Sequence, residues 1–322
     1  MDWFEGKLAV VTGGGSGMGR ELVRQLASRG CSVAACDWQA EAVAAAAATA
    51  QAGAAAGVVV SDHACDVSDE SQVLRFRDEV LGVHSSDHVE LVFNNAGIGG
   101  GESFIAAPRG EWERTVAVDW QGVYYCTRAF MPLLIASKGG VLVNTSSVNG
   151  FWASLGPGMP QTAYSTAKFA VRGFTEALIE DLRVQAPHVR VVLVLPGHVG
   201  TDIIVNSIRA RGLPAPERMT DAQVEQLIRP EVRAKLIGAG ALPKRASAND
   251  LRHLLARANA DFRDKAPVSA AEAAAIILEG VRSGTWRILI GEDAAKIDEA
   301  VRANPELAYD YTHLFAGWQR SG

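Results

Sequence analysis

Three groups of residues in this chain have types and spacings that chemistry can use. The first is the stretch "YSTAK", which places Tyr164 and Lys168 four residues apart in a helical pattern. Residues at i and i+4 share a helix face, so a phenol and an ammonium stand side by side. Taken alone, the pair is either chemical or two amphipathic side chains lying along a surface. The second is "VVTGGGSGMGREL", residues 10–22, where Gly13, Gly17 and Gly19 follow a strand and open a helix as G-x-x-x-G-x-G. Glycines there permit a tight turn and let a pyrophosphate approach the backbone, and a helix N-terminus offers free N–H groups. The third is Asp37, 24 residues after Gly13 at the end of the second strand pattern. A carboxylate in that place can accept from adenosine ribose hydroxyls and repels a 2′-phosphate, or it can cap the next helix. Trp38 follows Asp37 and Ser16 precedes Gly17, so no basic residue replaces the carboxylate. Together the loop and the acid predict dinucleotide binding, and NAD rather than NADP.

The elements that must position these groups alternate. Short apolar strand patterns occur at 7–13, 31–37, 56–62, 89–95, 139–147, 189–195 and 285–291. Helical patterns lie between them, at 20–30, in the alanine-rich stretch 40–56, at 162–186 and at 269–283, the last opened by the capping-box pair Ser269 and Glu272. Strand–helix alternation predicts βαβ units and a parallel sheet buried on both faces. The expected fold is α/β, a Rossmann-type doubly wound parallel sheet with helices on both faces. Residues 202–267 carry Pro214, Pro216, Pro230, Pro243 and Pro267 and no strand pattern. They are expected to form a small helical insertion near the C-terminus, as a cap over a site or as a solvated excursion. The whole chain, 1–322, reads as one domain with this cap and a tail at 292–322.

In this order the motifs resemble the short-chain dehydrogenase/reductase family, closely over residues 5–201 and loosely over 268–291. "TGGGSGMG" (12–19) resembles its glycine loop, with Ser16 and Met18 inside it. "CDV" (65–67) resembles the segment whose Asp66 and Val67 meet adenine. In "NNAG" (94–97), Asn95, Ala96 and Gly97 would line the cofactor cleft. "VNTSS" ends at the expected catalytic serine, Ser147, and "YSTAK" is its Y-x-x-x-K. "PGHVGT" resembles P-G-x-x-x-T and brings Pro196, Gly197, Val199 and Thr201 to the cofactor. The resemblance implies that Tyr164 is the general acid/base and that Lys168 lowers its pKa and holds the nicotinamide ribose. It further implies that Ser147 hydrogen-bonds the substrate oxygen. The expected activity is NAD-dependent interconversion of a secondary alcohol and a ketone, with a homodimer or homotetramer implied by the same resemblance. A nucleotide-sensing protein without turnover and an NADP-dependent carbonyl reductase are the alternatives.

Two features depart from the family. Asp119, in "VDWQG" (118–122), stands where an asparagine is usual. The family role there runs largely through the backbone carbonyl, which an aspartate keeps, with added negative charge near Lys168. Ser147 and Tyr164 are 17 residues apart, a longer interval than the family's usual one, and the extra length falls in "FWASLGPGMPQT" (151–162). Phe151, Trp152, Leu155 and Met159 are candidates to line a bulky apolar pocket, and His198 is a candidate substrate contact.

Composition limits the remaining classes. With 322 residues and a net charge of −5, the chain is long enough for a large core and carries no basic block, so nucleic acid is not an expected partner. Cys31, Cys36, Cys65 and Cys126 lack metal-site spacing and read as free buried thiols, which suits a reducing compartment. No metal is expected. No apolar run is long enough to span a membrane, and no leader pattern opens the chain, so a cytoplasmic location is expected.

Overall fold

A computed structural model describes residues 2–228 and 230–314. The first half runs β1 (Leu8–Thr12), α1 (Gly17–Ser28), β2 (Ser32–Asp37), α2 (Ala40–Ala52), β3 (Val60–Ala64), α3 (Glu70–His84), β4 (Leu91–Asn94), α4 (Arg109–Val116), α5 (Gly122–Ala136) and β5 (Val141–Thr145). It continues through α6 (Thr162–Gln185), β6 (Arg190–Pro196), β7 (Val199–Gly200), α7 (Ile203–Ala210), α8 (Asp221–Leu227), α9 (Pro230–Gly238) and α10 (Ala248–Asp264). The last elements are β8 (Val268–Ser269), α11 (Ala270–Ser283), β9 (Arg287–Ile290), α12 (Glu292–Ala303) and α13 (Tyr311–Leu314). One turn of π-helix, Ala117–Gln121, joins α4 to α5.

The central sheet has seven parallel strands in the order β3-β2-β1-β4-β5-β6-β9. This is the doubly wound α/β fold that strand–helix alternation predicts. β1, β4 and β5 are buried along their whole length, as strands covered on both faces must be. One apolar layer, including Leu22, Leu26, Val33, Leu278 and Val281, packs α1 and α11 on one face. A second, including Phe76, Phe130, Leu134 and Leu142, packs α3 and α5 on the other. Strand order reverses between β1 and β4, whose connections leave the sheet on opposite faces. In open sheets of this kind the crevice outside the strands' C-terminal ends at that reversal is where ligands bind.

Two expectations need correction. The third strand starts at Val60 and not at residue 56, because Gly57 turns the chain with φ 83° and register with β2 begins only at Val33 opposite Val60. Residues 292–314 are no loose tail: Ala294, Ile297, Ala308 and Leu314 pack with Phe151 and Trp152 into a third apolar cluster. The remainder of that expected tail, 315–322, lies outside the described residues. The 202–267 segment is helical, and Ile208, Met219, Val224, Ile228, Leu242 and Leu251 give it a core of its own. Its two ends are joined by the short parallel pairing of β7 with β8.

The glycine loop sets the tightest packing. A Cβ on Gly19 would sit 2.1 Å from the Gly13 carbonyl oxygen, and a Cβ on Gly13 2.9 Å from the Ala96 Cα. Glycine to alanine inside a helix ordinarily gains about 1 kcal/mol. Gly19→Ala is expected instead to lose about 1–3 kcal/mol through overpacking against immobile backbone. Chemical unfolding of both proteins checks this, and equal or greater stability for the variant contradicts the close approach.

Candidate active site

At the C-terminal ends of β1, β2 and β4 lies a groove open to solvent. Gly13, Ser16, Gly17, Met18, Asp37, Trp38, Asp66, Val67, Asn95, Ala96, Gly97 and Thr201 all line it. Thr12, at the end of β1, fixes the junction: its hydroxyl accepts from the amides of Asn95 and Ala96, each at 3.0 Å. The glycine loop therefore cannot drift from the loop after β4. Ser16 stands at the N-cap of α1 but does not cap it, since its hydroxyl accepts from Asn206 Nδ2 at 3.0 Å. The first-turn amides of α1 are left without a side-chain acceptor, which is the arrangement that suits an anion.

Asp37 is buried to 7% exposure and accepts from the amides of Gly15 at 3.1 Å and Gln39 at 3.0 Å. Burial raises its pKa above the ordinary carboxylate value, while those amide bonds pull it back. Asp66 is held the other way. Burial raises it, but hydrogen bonds from Arg114 and Ser68 outweigh that and lower it.

The other candidate residues gather beyond the Gly97 end of the groove. Ser147 follows β5, and its hydroxyl accepts from the Asn149 amide at 3.1 Å. α6 carries Tyr164 and Lys168, and Lys168 Nζ lies 5.4 Å from the centroid of the Tyr164 ring. The Ser147 hydroxyl is near enough to the phenol to favour its ionised form. Ser146 Oγ donates to the Lys168 carbonyl at 2.8 Å, tying α6 to the end of β5. Beneath them, a buried chain of amides and hydroxyls locks β4, β5, α5 and α6 together. Asn94 donates to Thr127 and Asn144, and Asn144 donates to Thr175.

Lys168 Nζ is 3.2 Å from Asp119 Oδ2, with the two side chains 3% and 0% exposed. It also donates to the Thr145 carbonyl at 3.3 Å. The other Asp119 oxygen accepts from the Ile98 amide at 2.8 Å. Gly97 makes the room: a Cβ there would lie 3.2 Å from Lys168 Nζ and 3.4 Å from Asp119 Oδ2. Asp119 thus meets the lysine through its carboxylate, which is the added negative charge expected there beside the backbone-carbonyl role. Burial lowers the Lys168 pKa, but the charges of Asp119 and Tyr164 outweigh it and raise the ammonium. Burial likewise raises the Asp119 carboxyl against the pull of Lys168 and Ile98. A raised ammonium keeps its charge and a raised carboxyl tends to lose it. The ammonium 3.2 Å from one carboxylate oxygen and the Ile98 amide donating to the other favour the charged pair.

This changes the expectation for Tyr164. Burial raises the phenol, Lys168 lowers it, Asp119 raises it and Ser147 lowers it, and the net shift is upward from the ordinary value. Burial is the largest of these influences, and the charge of Asp119 offsets part of the pull that Lys168 exerts.

Several sequence expectations fall elsewhere. Gly19 packs under the loop and does not line the groove, and Pro196, Gly197 and Val199 lie outside its lining, as do Tyr164 and Lys168, which adjoin it behind Gly97. Phe151 and Trp152 are core, with Trp152 Nε1 donating to the Ala308 carbonyl at 2.7 Å, while Leu155 and Met159 are exposed. His198 is structural, bonding the Phe262 carbonyl at 2.7 Å and packing on the Phe262 ring. Residues the motifs did not single out also line the groove: Gln39, Ile98, Arg114, Val118, Ile203 and Asn206. Thr12 was readable as the first letter of the glycine motif, whereas Arg114 and Asn206 lie outside any motif. No helix among the described residues is long and apolar enough to cross a membrane.

The short chain dehydrogenase family profile matches residues 7–211. SadH of Mycobacterium tuberculosis, described as an oxidoreductase, is 38% identical over 212 residues, covering 66% of this chain and 74% of that protein. Meso-2,3-butanediol dehydrogenase of Serratia marcescens is 34% identical over 178 residues, covering 55% and 66%. A short-chain dehydrogenase/reductase from Burkholderia phymatum, solved in complex with NAD, superposes with a TM-score of 0.73 at 29% identity, covering 95% of this chain and 96% of its own. A metagenomic short-chain oxidoreductase solved with NADP gives a TM-score of 0.52 at 34% identity, covering 60% and 83%. With the profile spanning six of the seven sheet strands, the groove residues and Ser147, Tyr164 and Lys168, this chain belongs to the short-chain dehydrogenase family of nucleotide-binding oxidoreductases.

Proposed function

We propose that the chain interconverts a secondary alcohol and a ketone with NAD. The carrying observation is that Lys168, with Tyr164 and Ser147 beside it, comes up against Gly97 in the wall of a groove that also presents the Asp37 carboxylate. The residues fit the cofactor: the α1 amides face the groove, and Asn95 Oδ1 is buried with no partner. Asp37 and Trp38 would hold the adenosine ribose, Asp66 and Val67 the adenine, and Thr201 and Lys168 the nicotinamide half. The NAD complex of the Burkholderia phymatum protein supports this choice, and the butanediol dehydrogenase supports an alcohol substrate.

NAD supplies the acceptor for the carbinol hydride. The chain's own residues manage the oxygen and its proton. Ser147 Oγ donates to the substrate oxygen and orients the carbinol carbon. Tyr164 Oη, as phenolate, takes the hydroxyl proton as the carbonyl forms, and in the reverse direction returns it. Lys168 holds its charge beside the phenol, and Asp119 sets how much of that charge the phenol feels. The 202–267 insertion serves as the substrate cover, docked by the bonds of Asn206 to Ser16 and of the Gly99 amide to Ser207 Oγ at 2.7 Å. The exposed apolar side chains of Leu155 and Met159, in the loop between Ser147 and Tyr164, support a medium-to-large apolar substrate.

Three outcomes test this reading. The ratio of kcat/KM for NAD over NADP is expected at roughly 10–1,000, the range for a like-charge contact of about 1–4 kcal/mol. Asp37→Ala should narrow that ratio, and equal kcat/KM for the two cofactors in the unmodified protein contradicts the assignment. Tyr164→Phe is expected to cut turnover by about 10²–10⁴-fold on the best alcohol of a panel while leaving NAD affinity nearly unchanged. Retention of most activity would make Tyr164 structural. Asp119→Asn removes a negative charge that raises the phenol, so the Tyr164 pKa should fall. Phenolate is then available at lower pH, and the acidic limb of kcat for alcohol oxidation should move down in pH with turnover preserved. An unmoved limb would mean that the carboxylate does not tune the phenol.

A further inference from the structure

Arg114, on the last turn of α4, belongs to no motif, yet it lines the groove beside Trp38, Asp66 and Val67. Among the described residues that line the groove it is the one cation. Its NH2 lies 2.8 Å from Asp66 Oδ2, and its NH1 donates to Ser68 Oγ. The other Asp66 oxygen is taken by Ser68, through its amide at 3.0 Å and its hydroxyl at 2.7 Å. Both members of the pair stay partly open to the groove, with side chains 29% and 28% exposed.

The geometry of these bonds decides what the guanidinium can still do. Its N–H bonds lie in its plane, and two of its nitrogens point at Asp66 and Ser68. The group is thereby held by its edge, with its orientation fixed and its flat faces outside the bonding. A planar cation fixed in this way is a stacking surface for an aromatic ring. As an isolated ion pair, half open to water, the contact would contribute about 0–1 kcal/mol, little reason for a chain to bring a helix across a ligand groove. The same helical run continues through Val118, which lines the groove, to Asp119, which pairs with Lys168.

We propose that Arg114 is an adenine-recognition residue of this chain, presenting the face of its guanidinium to the base while its edge holds Asp66 in place. The inference rests on the nucleotide reading of the groove and concerns the base, not the phosphates or the nicotinamide. It makes the adenine subsite a product of two elements, the turn after β3 and the last turn of α4.

Calorimetric titration of the unmodified chain, Arg114→Lys and Arg114→Gln with NAD, NADP, ADP-ribose and nicotinamide mononucleotide tests it. Thermal unfolding of all three proteins serves as the check on folding. Both variants are expected to bind NAD and ADP-ribose about tenfold more weakly, as loss of one stacked partner does. Affinity for nicotinamide mononucleotide, which has no adenine, is expected to stay the same. Lysine keeps the charge and the pairing to Asp66 but not the plane, so NAD affinity retained in Arg114→Lys overturns the proposal. Equal weakening toward nicotinamide mononucleotide overturns it too, because the loss would then be of the groove as a whole. A fall confined to NADP would mean that Arg114 holds a 2′-phosphate instead and also overturns it. An unmodified chain that binds neither NAD nor ADP-ribose refutes the nucleotide reading itself, a result distinct from an Arg114 that makes no difference.

Discussion

A buried ammonium needs partners, and Lys168 governs how the rest of the site is built. An unpaired charge in this setting would cost several kcal/mol, so its surroundings are arranged around it. Asp119 supplies the counter-ion and the Thr145 carbonyl a further acceptor. Gly97 leaves the space that both side chains occupy, and Ser146 ties the Lys168 carbonyl to the end of β5. The consequence is electrostatic as well as steric. A lysine this well satisfied keeps its proton, but it lends its neighbour Tyr164 less positive field than a free ammonium would. The phenol here is tuned by three groups, and the carboxylate opposes the other two.

The carboxylate comes from the one turn of π-helix between α4 and α5, where a single extra residue per turn re-aims a side chain. That stretch is a wall shared by both ends of the groove. Arg114 meets Asp66 beside Trp38 and Val67, Val118 lines the groove, and Asp119 meets Lys168 next to Gly97. On the opposite side, α7 spans the glycine loop and the loop after β4 through Asn206 and Ser207. The insertion is therefore joined directly to the backbone of the nucleotide site, and its position and the groove's width are set together.

The C-terminal elements act on the site from behind. Ala153 donates to Tyr309 Oη, Ser154 Oγ and Tyr311 Oη share a hydrogen bond at 2.7 Å, and Trp152 donates to Ala308. Asn149 passes this restraint on, bonding the carbonyls of Trp152 and Ser154 while its amide donates to Ser147 Oγ. The long loop between Ser147 and Tyr164 is held by residues more than 150 positions away in the sequence.

The sequence by itself determined the alternation of strands and helices, the parallel sheet, the glycine loop and the members of the Ser147–Tyr164–Lys168 set. These rest on local periodicity and on motifs read within a few residues, which is where sequence carries most information. It marked Asp119 as unusual and as negative charge near Lys168, but not the direct ion pair, because that contact depends on a space left by Gly97 in another segment. It offered Phe151, Trp152 and His198 as pocket residues, since an apolar or imidazole side chain looks the same from sequence whether it faces a ligand or a packed helix. Only the tertiary structure decided between those. It sent Trp152 into the C-terminal cluster, stacked His198 on Phe262, and brought Arg114 to Asp66 across 48 residues of chain. The physical reason is common to all of them. Burial, pairing and the direction of a pKa shift are properties of what surrounds a group, and here those surroundings are assembled from distant parts of the chain.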